Sequence, residues 1–203
     1  MSQHSQDFYQ FQFDASLSRV LQLVEVDGRK TKIEKITGNT FDIDTNASGA
    51  VTQVVRTEVS RQGTTEVSIY SDANGDQRFD KTFEIEVAGA NARQLEQHRF
   101  TFDNAGNVTA EMERKGNGTW KTERIDANEH FSQIQLDGVN YLVKTEQERD
   151  GIEFTLLRDD NGDGIWTQIA EGETTGLHID SATGTIDLVG IQAYLASADT
   201  IVG

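Results

Sequence analysis

The sequence predicts an all-β protein, an antiparallel meander of repeated hairpins that curls into a barrel or a sandwich. Turns rich in Gly, Asn and Asp recur roughly every 8 to 15 residues, which is typical of strands joined by hairpins. The segments between these turns alternate apolar and polar residues, as at 83–87, 139–143 and 152–156, so each strand has one apolar face. Proline is absent, which fits a chain whose backbone N–H groups are mostly used in strand pairing.

An internal repeat supports the meander. Segment 142–164 aligns with segment 54–76 with one single-residue gap, and both run as strand, glycine turn, strand and acidic turn. Segment 110–130 is a more degenerate copy of the same plan. Since one hairpin cannot bury its own apolar face, repetition on this scale predicts hairpin units that stack on or extend one another.

A single domain is the expected organisation for a chain of 203 residues. Over 1–203 we expect an N-terminal aromatic strand within 1–20, hairpin repeats over 21–185 and a C-terminal cap over 186–203. The apolar residues of the cap favour a short helix near 188–197 over a final pair of strands.

The N-terminal strand is more hydrophobic than most strands of the repeats. Tyr9, Phe11 and Phe13 occupy alternate positions and therefore share one face of the strand. This face either seals the protein's own core or belongs to an edge strand that pairs with a second copy of the chain. The second alternative predicts self-assembly through these residues, into a fibre or matrix.

Charge and composition limit the partners. The formal net charge of -16 disfavours nucleic acid and anionic membranes, because their phosphates would meet carboxylates, and it favours cations or basic surfaces. No run of about 18 apolar residues exists, so the sequence predicts no membrane insertion. Without cysteine, the chain forms neither disulfides nor thiolate metal sites.

The start of the sequence has no basic segment followed by an apolar run, so it predicts no cleaved N-terminal secretory signal. An extracellular or cell-surface protein would then leave the cell by a route that reads a C-terminal signal. A cytoplasmic location stays open as the alternative.

Two acidic turns, 72–80 and 159–167, carry oxygen-bearing side chains at alternate positions and lie at equivalent places in the repeat. Ca²⁺ takes six to eight oxygen ligands, and D-x-[DN]-x-D loops supply them with a backbone carbonyl two residues further on. The predicted ligands are Asp72, Asn74, Asp76, the carbonyl of Arg78 and Asp80 in the first turn, and Asp159, Asn161, Asp163, the carbonyl of Ile165 and Thr167 in the second.

Neither turn is an EF-hand. Phe83 and Ala170 occupy the twelfth position, where that motif has a bidentate Glu, while Glu84 and Glu171 lie one residue later. Asp, Asn and Gly are also favoured in tight hairpins without metal, so plain turns remain the alternative. The similar turn at 103–107 lacks the full ligand set, and we expect it to be a plain turn, as we do the one at 126–129.

The stretch RFTFDNAGNVTAEMERKGNGTW, residues 99–120, resembles the YD (Rhs-type) repeat of bacterial surface and secreted proteins. Together with the D-x-[DN]-G-D-G-like turns, the resemblance covers about residues 50–170. Phe102 stands where the repeat usually has Tyr. The resemblance implies an extracellular or cell-surface β-rich structural module, often calcium-bound and often without catalysis.

Other chemistry finds little support in the sequence. It contains no nucleophile elbow, P-loop or dinucleotide fingerprint, which favours a protein that is not an enzyme. Four scattered histidines, at positions 4, 98, 130 and 178, have no metal-ligand spacing and are expected on the surface. Trp120 and Trp166 support an alternative function, a soluble β-barrel or sandwich that binds a glycan by stacking on its sugars.

Overall fold

The computed structural model describes residues 7–60, 63–88, 96–136, 138–148, 151–175, 179–180 and 185–186. These residues form strands and turns and contain no helix. The strands are β1 Phe8–Phe13, β2 Val20–Asp27, β3 Lys30–Ile33, β4 Thr40–Thr45, β5 Val51–Val59, β6 Thr65–Ser71, β7 Asp80–Val87, β8 Gln97–Phe102, β9 Val108–Arg114, β10 Trp120–Glu123, β11 Glu129–Leu136, β12 Val139–Gln147, β13 Ile152–Asp159, β14 Trp166–Thr174, β15 Ile179–Asp180 and β16 Thr185–Ile186.

All strand pairs are antiparallel, and the prediction of an all-β fold of hairpins is confirmed. The largest sheet has eleven strands and stays open rather than closing into a barrel. β1, β2 and β3 form a separate three-stranded sheet in which β2 lies between the aromatic strand β1 and β3, so β2 and β3 are not part of the large sheet of hairpin repeats. The helix predicted near 188–197 lies outside the described residues.

The two clear copies of the repeat form matching three-stranded units. β5, β6 and β7 are successive antiparallel neighbours, and so are β12, β13 and β14. In each unit an acidic loop joins the second strand to the third. The degenerate copy at 110–130 differs, because β10 pairs with β9 while the following strand, β11, pairs with β12.

β14 is the branch point of the large sheet. One edge of β14 pairs with β13, and the other edge is shared between two strands. β7 pairs with residues 170–174 of β14, whereas β8 pairs with Trp166 and Thr167. The strands β8, β9 and β10 therefore form a separate arm of the sheet, next to the unit of β5, β6 and β7. We call them the β8–β10 arm.

One apolar cluster lies along the middle of this sheet and includes the fully buried Ile85, Phe154 and Leu156. The ring of Phe154 stacks with that of Phe83, with 5.9 Å between centroids. Gly172 of β14 lies between the two strands that carry these rings, and a Cβ at this position would collide with the ring of Phe154. A glycine in β14 is thus required for close packing at the centre of the sheet.

The N-terminal sheet packs on the large sheet through its aromatic face. Tyr9 and Phe11 lie edge-to-face against Tyr70, at 4.7 and 5.2 Å between centroids, and Phe11 lies 5.1 Å from Phe79. Phe13 packs against the same buried cluster. These rings seal the protein's own core, which was the first of the two alternatives for the strand. Pairing of the strand edge with a second copy stays a prediction.

Candidate metal-binding loops

The two acidic loops occupy the same place in the two repeat units. The first begins at Asp72, directly after β6, and the second at Asp159, the last residue of β13. Each ends at the start of the third strand of its unit, at Asp80 and at Thr167. When Asp72 is aligned with Asp159, the two loops align with no gap. Both aspartates are buried, with 6% and 7% of their surface exposed.

In the first loop the buried aspartate holds the turn together from inside. Asp72 Oδ1 accepts a hydrogen bond from the backbone N–H of Gly75 at 2.7 Å, and its Oδ2 accepts one from Gln77 at 2.9 Å. Asn74 Oδ1 accepts the N–H of Asp76 at 3.0 Å. Side-chain oxygens at alternate positions therefore bind the backbone of the following residues, as in successive Asx turns.

The second loop repeats these three hydrogen bonds at the corresponding atoms. Asp159 Oδ1 accepts the N–H of Gly162 at 2.8 Å, and its Oδ2 accepts that of Gly164 at 3.1 Å. Asn161 Oδ1 accepts the N–H of Asp163 at 3.1 Å. Since two segments far apart in the chain adopt the same conformation, the sequence pattern itself specifies this turn.

The third side-chain oxygen of each loop belongs to an exposed aspartate. Asp76 Oδ1 accepts the N–H of Arg78 at 2.9 Å, and Asp163 Oδ1 accepts that of Ile165 at 2.8 Å. The residues whose carbonyls were predicted as ligands thus lie next to the side-chain oxygens of the loop. Every one of these contacts uses a single lone pair, and a carboxylate offers about four acceptor positions in total.

The fifth predicted ligand lies further from the others in both loops. Asp80 is the first residue of β7 and is exposed, and its register partner is Ser71. Thr167 is the second residue of β14 and pairs with Arg158 on one side and Gln97 on the other. Both belong to strand ladders rather than to the turn.

Glu84 and Glu171, the acids one residue beyond the EF-hand position, bind elsewhere. Glu84 forms an ion pair with Lys81 at 2.8 Å, and Glu171 accepts a hydrogen bond from Gln168 at 2.8 Å. In the part of the chain that the structure describes, no group of three His, Cys, Asp or Glu side chains is arranged to hold a metal. The oxygen-only donor set fits a hard cation such as Ca²⁺, but it is not gathered into a closed cage.

A buried aromatic residue occupies the same position near the end of each loop. Phe79 exchanges backbone hydrogen bonds with Tyr9, at 2.8 and 2.9 Å, and so joins the first loop to the N-terminal sheet. Trp166 pairs in register with His98 and packs against Phe100, which joins the second loop to the β8–β10 arm. Each acidic loop therefore lies at a junction between parts of the fold.

The prediction that all four histidines lie on the surface is wrong for His98, which is 8% exposed. Its Nδ1 lies 2.9 Å from Glu111, a fully buried carboxylate that also receives a hydrogen bond from Lys144 at 3.0 Å. Burial alone would raise the pKa of Glu111, but the bonds with His98 and Lys144 outweigh burial and lower it. The alternation of His98 with Phe100 and Phe102 is the sequence signal that places this histidine inward.

The two tryptophans differ in exposure. Trp166 is 6% exposed and lies within 6.4 Å of Phe102, between ring centroids, so its faces are covered by other side chains. Trp120 is partly exposed, with the guanidinium of Arg99 above its ring at 4.3 Å. The sugar-stacking alternative therefore has little aromatic surface at Trp166.

Comparison with known proteins gave no relative: no family model matches the chain, and neither a curated protein nor a solved structure is significantly similar to it. A search of the described residues for helices found none with the length and apolar character needed to cross a membrane.

Proposed function

We propose that the protein is a non-enzymatic structural module of the cell surface or extracellular space whose two acidic loops bind Ca²⁺. The observation that carries this proposal is the matching geometry of the loops at 72–80 and 159–167. Each has one buried aspartate, followed by an amide and a carboxylate oxygen at alternate positions, and each of these side chains accepts hydrogen bonds from backbone N–H groups of its own loop. This is the oxygen chemistry that Ca²⁺ prefers in proteins.

Binding would act on the junctions of the fold. Each loop concentrates carboxylates that repel one another, and a bound cation offsets that repulsion. Ligand that binds only the folded state stabilises it by about 2.7 kcal/mol at a concentration of about 100 times Kd. Because Phe79 and Trp166 attach the loops to two other parts of the fold, Ca²⁺ would stiffen the places where these parts meet.

Self-assembly remains part of the proposal through the edge of β1 rather than through its aromatic face. The rings of Tyr9, Phe11 and Phe13 pack within the chain, while the outer edge of β1 meets the rest of the protein at the bridge between Tyr9 and Phe79. An edge strand offers unpaired backbone groups to another strand. Sedimentation velocity over a wide concentration range tests this: a monomer at every concentration contradicts self-assembly.

Calcium titration tests the metal proposal. In protein first freed of metal with EDTA, we expect the melting temperature to rise with millimolar Ca²⁺ and calorimetry to record binding at two sites. Asp76→Asn and Asp163→Asn keep the oxygen that accepts the backbone N–H but remove a charge, so each should weaken binding at its own loop by about tenfold or more.

Asp103→Asn is the matched control. Asp103 also binds the backbone of its own turn, accepting the N–H groups of Ala105 and Asn107 at 2.9 and 2.8 Å, but its turn lacks the alternating ligand set. This variant should leave calcium binding unchanged. If millimolar Ca²⁺ produces neither heat nor a rise in melting temperature, the acidic loops are plain turns and the calcium proposal is wrong.

A further inference from the structure

Glutamates lie directly opposite one another across the centre of the large sheet. Glu84 of β7 pairs in register with Glu173 of β14, which pairs with Glu153 of β13, which pairs with Glu146 of β12. We call these four residues the glutamate row. A second set of register pairs lies two residues away along β7 and β14. In it Glu86 pairs with Glu171 on one side and with Glu66 on the other, and Glu66 pairs in turn with Glu58 of β5.

Such an arrangement is unfavourable in isolation. Side chains directly opposite on an antiparallel sheet have Cβ atoms about 4.5–5.5 Å apart, and like charges there destabilise the pair. With this register the four glutamates must share one face of the sheet, because successive side chains of a strand point to opposite faces. The same strands direct Ile85, Phe154 and Ala170 into the apolar cluster on the opposite face, and the burial of that cluster fixes the register.

One nearby cation, Lys81, neutralises charge at one end of the row. Lys81 lies 2.8 Å from Glu84 and 3.0 Å from Glu173. Lys144, on the same strand as Glu146, is instead bound to Glu111 at 3.0 Å and Glu129 at 2.7 Å. Among the described residues no Lys or Arg forms an ion pair with Glu153, which is therefore the centre of the uncompensated charge.

We propose that the glutamate row is a proton-sensitive element of the fold, whose repulsion loosens the pairing of β7, β14, β13 and β12 at neutral pH and whose protonation tightens it. The row needs no metal and no partner, and the proposal is independent of calcium binding at the acidic loops. It predicts that the centre of the sheet becomes more stable as the solution becomes mildly acidic.

The surroundings of Glu153 agree with this direction. Partial desolvation, followed by the charges of Glu148, Glu146 and Glu173, raises the pKa of Glu153 above its ordinary value of 4.5. Glu171 of β14 acts in the same sense. These groups come from both neighbouring strands and from the turn before β13.

Glu66, in the second set, has a mixed environment. Desolvation and the charge of Glu84 raise its pKa, and Glu58 adds to this, whereas Arg56 and a hydrogen bond from Ser68 oppose it. The pKa is raised overall. A carboxylate whose pKa is higher in the folded than in the unfolded state contributes stability below the unfolded value, and this contribution is lost as the pH rises through the folded value. The sensitive range therefore begins near pH 4.5 and extends upwards.

Thermal melts of Glu153→Gln and the wild type, at pH 7.5 and pH 5.0 in EDTA, test the proposal. Removing the central charge should raise the melting temperature at pH 7.5 by about 2–4 °C. The advantage should shrink at pH 5.0, where the wild-type carboxylates gain protons, and also in about 1 M NaCl, which screens exposed charges. Glu146→Gln should show the same pattern to a smaller extent, and it provides a second reading on the same row.

Glu123→Gln is the control. Glu123 is the last residue of β10 and, unlike Glu153 within the described part of the chain, forms ion pairs, with Lys121 at 2.9 Å and with Lys115 at 3.1 Å. Its neutralisation should not raise the melting temperature at pH 7.5. The proposal is wrong if Glu153→Gln fails to stabilise the protein at pH 7.5, or if its effect is the same at both pH values. EDTA removes calcium from all samples, so this outcome does not depend on the acidic loops.

Discussion

The two acidic loops, 72–80 and 159–167, share a turn but serve different parts of the fold. In both, a buried aspartate binds the backbone of the following residues at nearly the same distances. The aromatic residue of the first loop, Phe79, contacts the N-terminal sheet, whereas that of the second, Trp166, contacts the β8–β10 arm. This turn is therefore specified by its own local sequence, while its attachment to the rest of the fold depends on distant residues.

The aromatic residues are expected to show the largest effects. Phe79→Ala and Trp166→Ala each remove a buried ring, which costs about 3–5 kcal/mol of unfolding free energy. Denaturant unfolding measures the total. Hydrogen exchange then separates the two loops: amides of β1, Tyr9 above all, should exchange faster in Phe79→Ala, and those of β8 in Trp166→Ala.

Phe79→Leu is the conservative control and should keep most of the protection of β1, because it leaves an apolar side chain at the junction. If both alanine variants expose the same amides, the loops do not hold separate parts of the fold.

The buried aspartates come next. Asp72→Ala loses three charge-assisted hydrogen bonds from backbone N–H groups and Asp159→Ala loses two, and we expect each variant to lose about 2–3 kcal/mol of unfolding free energy. Measurement in EDTA keeps calcium out of the comparison. Because the additional bond of Asp72, from the N–H of Asp76, is long at 3.3 Å, the two losses should agree to within about 1 kcal/mol.

Asp103→Ala, in the exposed turn between β8 and β9, is the reference for these variants and should cost less. Equal costs at the exposed and the buried aspartates would show that burial adds nothing to the role of these carboxylates.

The smallest expected effect concerns a left-handed backbone position that is occupied by glycine in the second loop but not in the first. Gln77 has φ of 63°, whereas its counterpart Gly164 has φ of 77°. A left-handed backbone conformation costs a residue with a Cβ about 1–2 kcal/mol in the folded state. Glycine avoids this cost, but its greater conformational freedom in the unfolded chain offsets part of the gain. We expect Gln77→Gly to stabilise by about 0.5 kcal/mol and Gly164→Ala to destabilise by about 1 kcal/mol.

A Cβ at Gly164 meets no atom within 4 Å, so the cost there is conformational rather than steric. Denaturant unfolding of both variants checks the signs. A stabilising Gly164→Ala would contradict the positive φ of this loop.

Much of the strand arrangement was predictable because it depends on neighbours in the sequence. The alternating residues of 83–87 and 152–156 lie in β7 and β13, with Ile85, Phe154 and Leu156 buried. The repeat also predicted two equivalent units. The third copy, 110–130, does not form a third equivalent unit. The local sequence pattern of β10 and β11 does not specify the strand with which each pairs.

The candidate site was predictable to the same extent. The three side chains of each loop bind their own backbone as the spacing indicates, since their hydrogen bonds span five residues or fewer, and binding of a cation by them stays a prediction. Asp80 and Thr167 were not distinguished from them, because their positions depend on the strands that begin there. The sequence also missed the buried pair of His98 and Glu111, whose residues meet only when β8 lies beside β9.

The sequence by itself determined the turns, the faces of the strands and the identical conformation of two distant acidic loops, because these follow from backbone preferences and short-range hydrogen bonds. Only the tertiary structure decided that β14 is shared by β7 and β8, that Tyr9 packs against Tyr70, and that glutamates of four strands lie opposite one another. The reason is physical. Two distant strands pair where their apolar faces are buried together, so the sequence of one segment alone does not specify its partner.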